Sequence, residues 1–281
     1  MFTINCKGQL VELKYPKIMG ILNVTPDSFY DGGRFEKPED IVNQATKLVK
    51  DGADFLDVGG ASSKPGAQPV SEKEELKRVV SAIESILNRH PEVLISVDTT
   101  RSQVAKEAVE AGAAMVNDIS AGNADPKMME VVGALGVPYI AMHMQGTPQT
   151  MQENPQYKNV LLEIRSLLSQ TIEKAHHYGI NDVIIDPGFG FGKTVYHNYE
   201  LMKNLSEFRH LEAPILVGVS RKSMIQKVLG VSAKDALNGT SVLHALALDQ
   251  GAHILRVHDV KEAKQVVKLV HQVQHPEKRI D

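Results

Sequence analysis

Eight short apolar runs, each followed by a longer stretch of helical periodicity, constrain this chain more than any other feature. The runs fall at residues 18–22, 55–58, 94–97, 114–116, 139–142, 183–185, 215–219 and 254–257. Each is too short for a helix and nearly continuously apolar, as a strand buried on both faces must be. Between them, Leu76, Val79, Val80, Ile83, Ile86 and Leu87 follow Ser71 in one stripe at the helical period. Leu161, Ile164, Leu168 and Ile172 make another. Ser71 with Glu74, and Thr100 with Gln103, read as capping boxes at helix starts.

Strand–helix alternation implies right-handed crossovers and a parallel sheet. Eight such units in 281 residues fit an α/β fold of the closed (β/α)8 TIM-barrel type better than an open doubly wound sheet. The open sheet stands as the competing architecture, because periodicity does not report closure. Residues 1–13 alternate weakly and are expected to form a short N-terminal β-hairpin outside the repeat. No linker, low-complexity segment or charge block divides the chain, so residues 1–281 are expected to be one barrel domain.

A formal net charge of -3 argues against a broad nucleic-acid surface or a polybasic membrane patch, while leaving room for a local basic pocket. The sequence holds neither an 18-residue apolar run nor a signal-type leader, so a soluble cytoplasmic protein is expected. The single cysteine, Cys6, cannot form an intrachain disulfide and reads as a small core or surface thiol.

The strands end in polar groups: Asn23, Asp57, Asp98, Asn117, His143, Asp186, Lys222, and Arg256 with His258. Any one of these alone would be a turn former or a helix cap. Together, at the carboxyl ends of barrel strands, they would converge on one rim. Asn23, Lys222, Arg256 and His258 suit an oxyanion such as phosphate. Asp98, Asn117 and Asp186 suit a face rich in N–H donors. Three loop-like segments at 24–37, 60–70 and 143–157 would lie on the same face.

Gly188-Phe-Gly190-Phe-Gly192-Lys193-Thr194 ends like a phosphate loop, but Pro187 stands where that motif needs glycine. No Cys–His cluster supports zinc, and His176 with His177 reads as a solvated helix face. The residues thus describe a barrel enzyme for a phosphorylated, nitrogen-rich small molecule, without fixing the reaction.

Met19-Gly-Ile-Leu-Asn-Val-Thr-Pro-Asp-Ser-Phe29 with Asp31-Gly-Gly33 resembles the first signature of the dihydropteroate synthase family, and Asp57-Val-Gly-Gly60 with Pro65-Gly-Ala67 resembles the second. The likeness continues through Ser96-Val-Asp-Thr99, Val116-Asn-Asp-Ile119, Met142-His-Met-Gln-Gly146, Asp186 to Thr194, Ser220-Arg-Lys-Ser-Met224 and Arg256-Val-His-Asp-Val260, in the family's order. The resemblance implies a (β/α)8 barrel, commonly a homodimer, that condenses a dihydropterin methyl diphosphate with p-aminobenzoate with help from Mg2+ and is a sulfonamide target. It implies that Asp98, Asn117, Asp186 and Lys222 hold the pterin. Asn23, Arg256 and His258 would meet the diphosphate, with Asn23 also at the metal. Ser63, Lys64, Phe191, Lys222 and Ser223 would line the p-aminobenzoate side. Asp98, Lys222, Arg256 and His258 are the implied catalytic groups. Lys64 departs from the arginine usual there and cannot copy a bidentate guanidinium contact. It is either an altered substrate contact or a solvated loop charge. Three other readings compete: a methyltetrahydrofolate methyltransferase, a Schiff-base aldolase with Lys222 activated by Arg221, and a non-catalytic pterin-binding paralogue.

Overall fold

The computed structural model describes residues 2–25, 38–62 and 70–277. All eight apolar runs are strands of one parallel sheet: β3 (Lys17–Asn23), β4 (Phe55–Gly59), β5 (Leu94–Asp98), β6 (Met115–Asp118), β7 (Tyr139–Met142), β8 (Val183–Asp186), β9 (Leu216–Val217) and β10 (Ile254–Val257). Strands β3 to β8 pair in sequence order, and β10 pairs with both β3 and β9. The bridge Ile185↔Ile215 joins β9 back to β8 and closes the barrel. Helices follow the strands in turn: α1 (Pro38–Lys50), α2 (Glu72–Arg89), α3 (Ser102–Glu110), α4 (Met128–Leu135), α5 (Val160–His177), α6 (Val195–Lys203), α7 (Ser223–Leu229), α8 (Leu237–Asp249) and α9 (Val260–Gln274). The expected hairpin is present as β1 (Thr3–Cys6) and β2 (Gln9–Glu12), paired antiparallel.

Side chains alternate along each strand, and the two faces have different partners. Ile18, Leu22, Leu56, Val58 and Val97 face outward and are buried among the helices. Met19, Phe55, Met115, Ile140, Ile184, Leu216 and Ile254 form a separate cluster inside the barrel, which Ile4, Cys6 and Leu13 close from below. The hairpin is therefore a plug at the amino end. Each fully buried side chain of this kind contributes roughly 1.5–3 kcal/mol.

Two residues further along the same strands, the lumen turns polar. Asp57 follows Phe55, Asn117 follows Met115, Asp186 follows Ile184 and Arg256 follows Ile254. A strand advances its lumen face two residues at a time, so this shift falls at one level and makes a polar cup over an apolar floor. Cys6 lies in the plug, and burial pushes its thiol up to about 12, as suits an inert core thiol.

Two expectations about helix starts need correction. Ser71 does cap α2, accepting from the Glu74 N–H at 3.2 Å, but the Glu74 carboxylate turns to Arg78 Nε at 2.8 Å. Thr100 does not cap α3. Thr99 Oγ1 accepts from the Arg101 N–H (3.2 Å), and Asp125 Oδ2 accepts from the Ser102 N–H (2.8 Å). A distant carboxylate has taken the role that local spacing assigned to Thr100.

Candidate active site

The cup is organised by one guanidinium between two acids. Arg256 Nε donates to Asp57 Oδ2 and Arg256 Nη2 to Asp98 Oδ2, both at 2.6 Å. Asn117 Nδ2 donates to the same Asp57 oxygen at 3.0 Å. Burial opposes the charge on Arg256, but Asp57 and Asp98 outweigh it and keep the guanidinium firmly protonated. Asp98 is pushed up to about 7, chiefly by burial, with Arg256 opposing and Asp57 adding repulsion. One cation cannot compensate two buried carboxylates, so one of them titrates near neutrality.

A second set of groups lies on β8 and the turn beyond β9. Asp186 Oδ1 accepts from the Gly188 N–H at 2.7 Å. Burial raises its pKa, and the Lys222 ammonium works against that. Lys222 Nζ donates to the Phe189 carbonyl at 2.5 Å and lies 4.6 Å from the centre of the Phe191 ring. Burial draws the Lys222 amine down to about 8; Asp186 opposes that and Arg256 adds to it. Arg221 has no part in this. Its Nε and Nη2 donate to Asp259 at 2.7 and 2.8 Å, so the lowering of the Lys222 amine comes from burial and Arg256, not from Arg221 as the aldolase reading had it.

At the lip, His258 Nδ1 lies 3.1 Å from Ser220 Oγ. A cavity of about 590 Å³ is lined by Asn23, Phe191, Lys222, Ser223, Arg256 and His258, among others. A side chain at Gly218 would project into it, since a Cβ there would stand 3.8 Å from Lys222 Nζ and 3.9 Å from Asp186 Oδ2. A neighbouring cavity of about 300 Å³ reaches Asp98. Asn117 and Asp186 are buried beneath the mouth. Ser63 and Lys64 lie outside the described residues. Among the described residues no cluster of three His, Cys, Asp or Glu side chains could hold a metal.

Sequence reasoning placed Asp57 at a strand end but gave it no partner. The available signal was its position inside an apolar strand, where a carboxylate needs a cation. It also missed Thr99 and Arg101, which donate to the buried Glu75 carboxylate at 2.6 and 2.7 Å beside the mouth. No local pattern links residues 75 and 101.

The family model for pterin binding enzymes matches residues 19–258 of this chain. The dihydropteroate synthase of Escherichia coli K12 is 45% identical over 266 residues, 94% of each chain. The chain belongs to the pterin binding enzymes, among the dihydropteroate synthases. Solved structures of that family agree in fold. The dihydropteroate synthase of Yersinia pestis, in complex with a sulfonamide drug, is 41% identical with a TM-score of 0.93, covering 97% of this chain and 99% of that one. The Xanthomonas albilineans dihydropteroate synthase with 4-aminobenzoic acid is 38% identical with a TM-score of 0.90, covering 97% and 98%. The same enzyme with 7,8-dihydropteroate gives 36% and 0.88, covering 98% and 99%.

Proposed function

We propose that this barrel joins 6-hydroxymethyl-7,8-dihydropterin diphosphate to p-aminobenzoate, giving 7,8-dihydropteroate and diphosphate in folate synthesis. The chain is then a transferase, like the synthases it resembles. The observation that carries this reading is the division of chemistry within one cup. Buried Asn117 and Asp186, with the slightly exposed Asp98, offer acceptors to a donor-rich ring, while Arg256 and His258 line the open cavity. Asp98 and Asn117 belong to neighbouring strands in register, so they can grip one ring edge together. A pterin seated on Asp98 takes the acceptor that Arg256 now uses. Asp57 then holds Arg256 through Nε, leaving the rest of the fork for the diphosphate.

The carbon–oxygen bond at the pterin methylene breaks, and its electron pair leaves with diphosphate. The amine lone pair of p-aminobenzoate forms the new carbon–nitrogen bond, and the amine proton passes to solvent. Asp98 and Asp186 favour the delocalised cation, and Arg256 and His258 favour the anion. Opposite unit charges about 4 Å apart contribute about 4 kcal/mol at an effective dielectric of about 20. Realised only in the transition state, that is roughly a thousandfold in rate. No side chain is required as a nucleophile. Lys222 serves as an ammonium between pterin and p-aminobenzoate, with Phe191 and Ser223 beside it; the family resemblance assigns Ser63 and Lys64 to the p-aminobenzoate side.

Asn23 is our proposed protein oxygen for Mg2+. The donor set fits, because Mg2+ prefers oxygen ligands, keeps several waters and is commonly carried by substrate phosphates rather than a protein cage. When bound, the ion would supply positive charge to the departing diphosphate. We also propose a cytoplasmic homodimer. No helix of the described residues is long and apolar enough to cross a membrane. Val242 and Leu246, one turn apart on α8, and Val228 and Leu229 on α7 are exposed, and a second copy would cover them.

The test is turnover of the two substrates with and without Mg2+, following dihydropteroate and diphosphate together. Both products should appear, and more slowly without the ion. No product from the folded wild type with both substrates and Mg2+ would overturn the reading. A methyltransferase would release no diphosphate, and an aldolase would leave a borohydride-trapped adduct on Lys222.

A further inference from the structure

The segment Gly188 to Thr194 ends like a phosphate loop, yet its lysine takes no part in the chemistry above. Lys193 is only 3% exposed. Its Nζ lies 2.8 Å from the Gly188 carbonyl, 2.9 Å from the Phe191 carbonyl and 2.9 Å from His143 Nδ1. These three close acceptors, with the His143 carbonyl more distant at 3.4 Å, suit the three protons of an ammonium, a charge that burial disfavours and Asp186 supports. His143 must then accept at Nδ1 and stay neutral, and burial, with the Lys193 charge, pushes its pKa down to about 2. All three protons being occupied, Lys193 is not a phosphate ligand.

The chain wraps around this ammonium. Gly188, Gly190 and Gly192 have φ of +72°, +83° and +63°, a region open to glycine at little cost. A Cβ on Gly188 would fall 1.9 Å from the His143 carbonyl, so the turn is seated directly on the end of β7. Gln152 Nε2 and the Tyr157 hydroxyl donate to the carbonyls of Gly190 and Gly192, each at 2.7 Å, and hold the turn from outside. The carbonyls of Gly188 and Phe191 point inward to Lys193. The Phe189 carbonyl and the Phe191 ring meet Lys222.

We propose that Lys193 is a positioning residue for the condensation: its buried ammonium fixes the turn at 188–192, and the turn fixes the Lys222 amine and the Phe191 ring on the p-aminobenzoate side. The inference rests on the function proposed above. Loss of the ammonium takes the donor from the Phe191 carbonyl and His143 Nδ1 and leaves the Gly188 carbonyl only the Phe191 N–H. The turn then relaxes, and Lys222 loses its acceptor. Asp98 and Asn117 sit on other strands and keep their hold on the pterin.

Lys193→Met keeps the apolar stem and removes the donors; Lys193→Gln restores two of them. Variants with a cooperative melt are compared with wild type in KM for each substrate. Independently of turnover, the rate at which an amine reagent labels Lys222 at pH 8 is read by mass spectrometry. Lys193→Met should raise the KM for p-aminobenzoate about tenfold, the loss of one charge-assisted hydrogen bond. The KM for the pterin should change less than that for p-aminobenzoate, because Asp98 and Asn117, on other strands, still hold the ring although Asp186 and Lys222 adjoin the turn. Labelling of Lys222 should quicken roughly several-fold as local opening becomes easier. Lys193→Gln should fall between, and it decides the matter if the Met variant does not fold. A folded variant with wild-type KM for p-aminobenzoate and wild-type labelling of Lys222 overturns the inference. If the wild type itself makes no dihydropteroate, the function reading falls, and the labelling rates still test the turn.

Discussion

Asp98 carries the sharpest consequence at the scale of single residues. It shares Arg256 with Asp57, and burial pushes it up to about 7 from the ordinary 3.8. The folded protein therefore binds this proton more tightly than the unfolded chain does. The contribution favours the fold fully below about pH 4 and is lost as pH rises through about 7. On the proposed function, activity should run the other way, since the ionised carboxylate would accept from the pterin and favour the cation. Loss of the Lys222 proton near pH 8 should set the alkaline limit, and we expect kcat/KM for the pterin substrate to climb through about pH 7 on its acid limb. Asp98→Asn should abolish that limb and lower kcat/KM about a hundredfold, measured as initial rates across pH. A surviving limb in the variant would assign the titration to another group. Asp98, Asn117 and Asp186 were legible in the sequence as polar residues following apolar strands. The bond from Arg256 to Asp57 was not, because the two are 199 positions apart. Lys193 was misleading, since its glycine-rich setting copies the end of a phosphate loop while its ammonium faces inward.

At the scale of elements, every strand and the N-terminal hairpin could be read from periodicity, because a two-sided buried strand and an amphipathic helix leave different repeats. Helix starts were less faithful. Ser71 caps α2, whereas α3 begins under Thr99 and Asp125. Ser71→Ala should therefore cost about 1 kcal/mol, and Thr100→Ala should stay within about 0.5 kcal/mol. Urea midpoints at unchanged m-value would measure both, and equal losses would contradict the assigned caps. The difference is one of range. A side chain three residues from an N–H competes with any carboxylate that the fold brings nearer, and Asp125 arrives from beyond β6. The α5 stripe needed no such correction: Ile164 and Leu168 are buried in the core, as their spacing required.

Across the whole molecule, closure is what turns eight strand ends into one cup. The bridge between β8 and β9 brings Asp186 beside Lys222, and the pairing of β10 with β3 brings Arg256 over Asp57. The exposed pairs on α7 and α8 make a prediction at this scale. Wild type should have the mass of two chains at micromolar concentration by light scattering, and Leu246→Glu should shift it toward one chain with the fold retained. A wild-type monomer at those concentrations would remove the proposed pairing. The sequence by itself determined the order and kind of the elements, their buried faces and the polar character of the strand ends, since all of these follow from near-neighbour spacing and side-chain chemistry. The tertiary structure alone decided which acid holds which cation, that Asp98 titrates near neutrality, and that Lys193 is buried rather than offered to a ligand. Those outcomes depend on desolvation and on distances between residues far apart in the chain, and both come into existence only when the barrel closes.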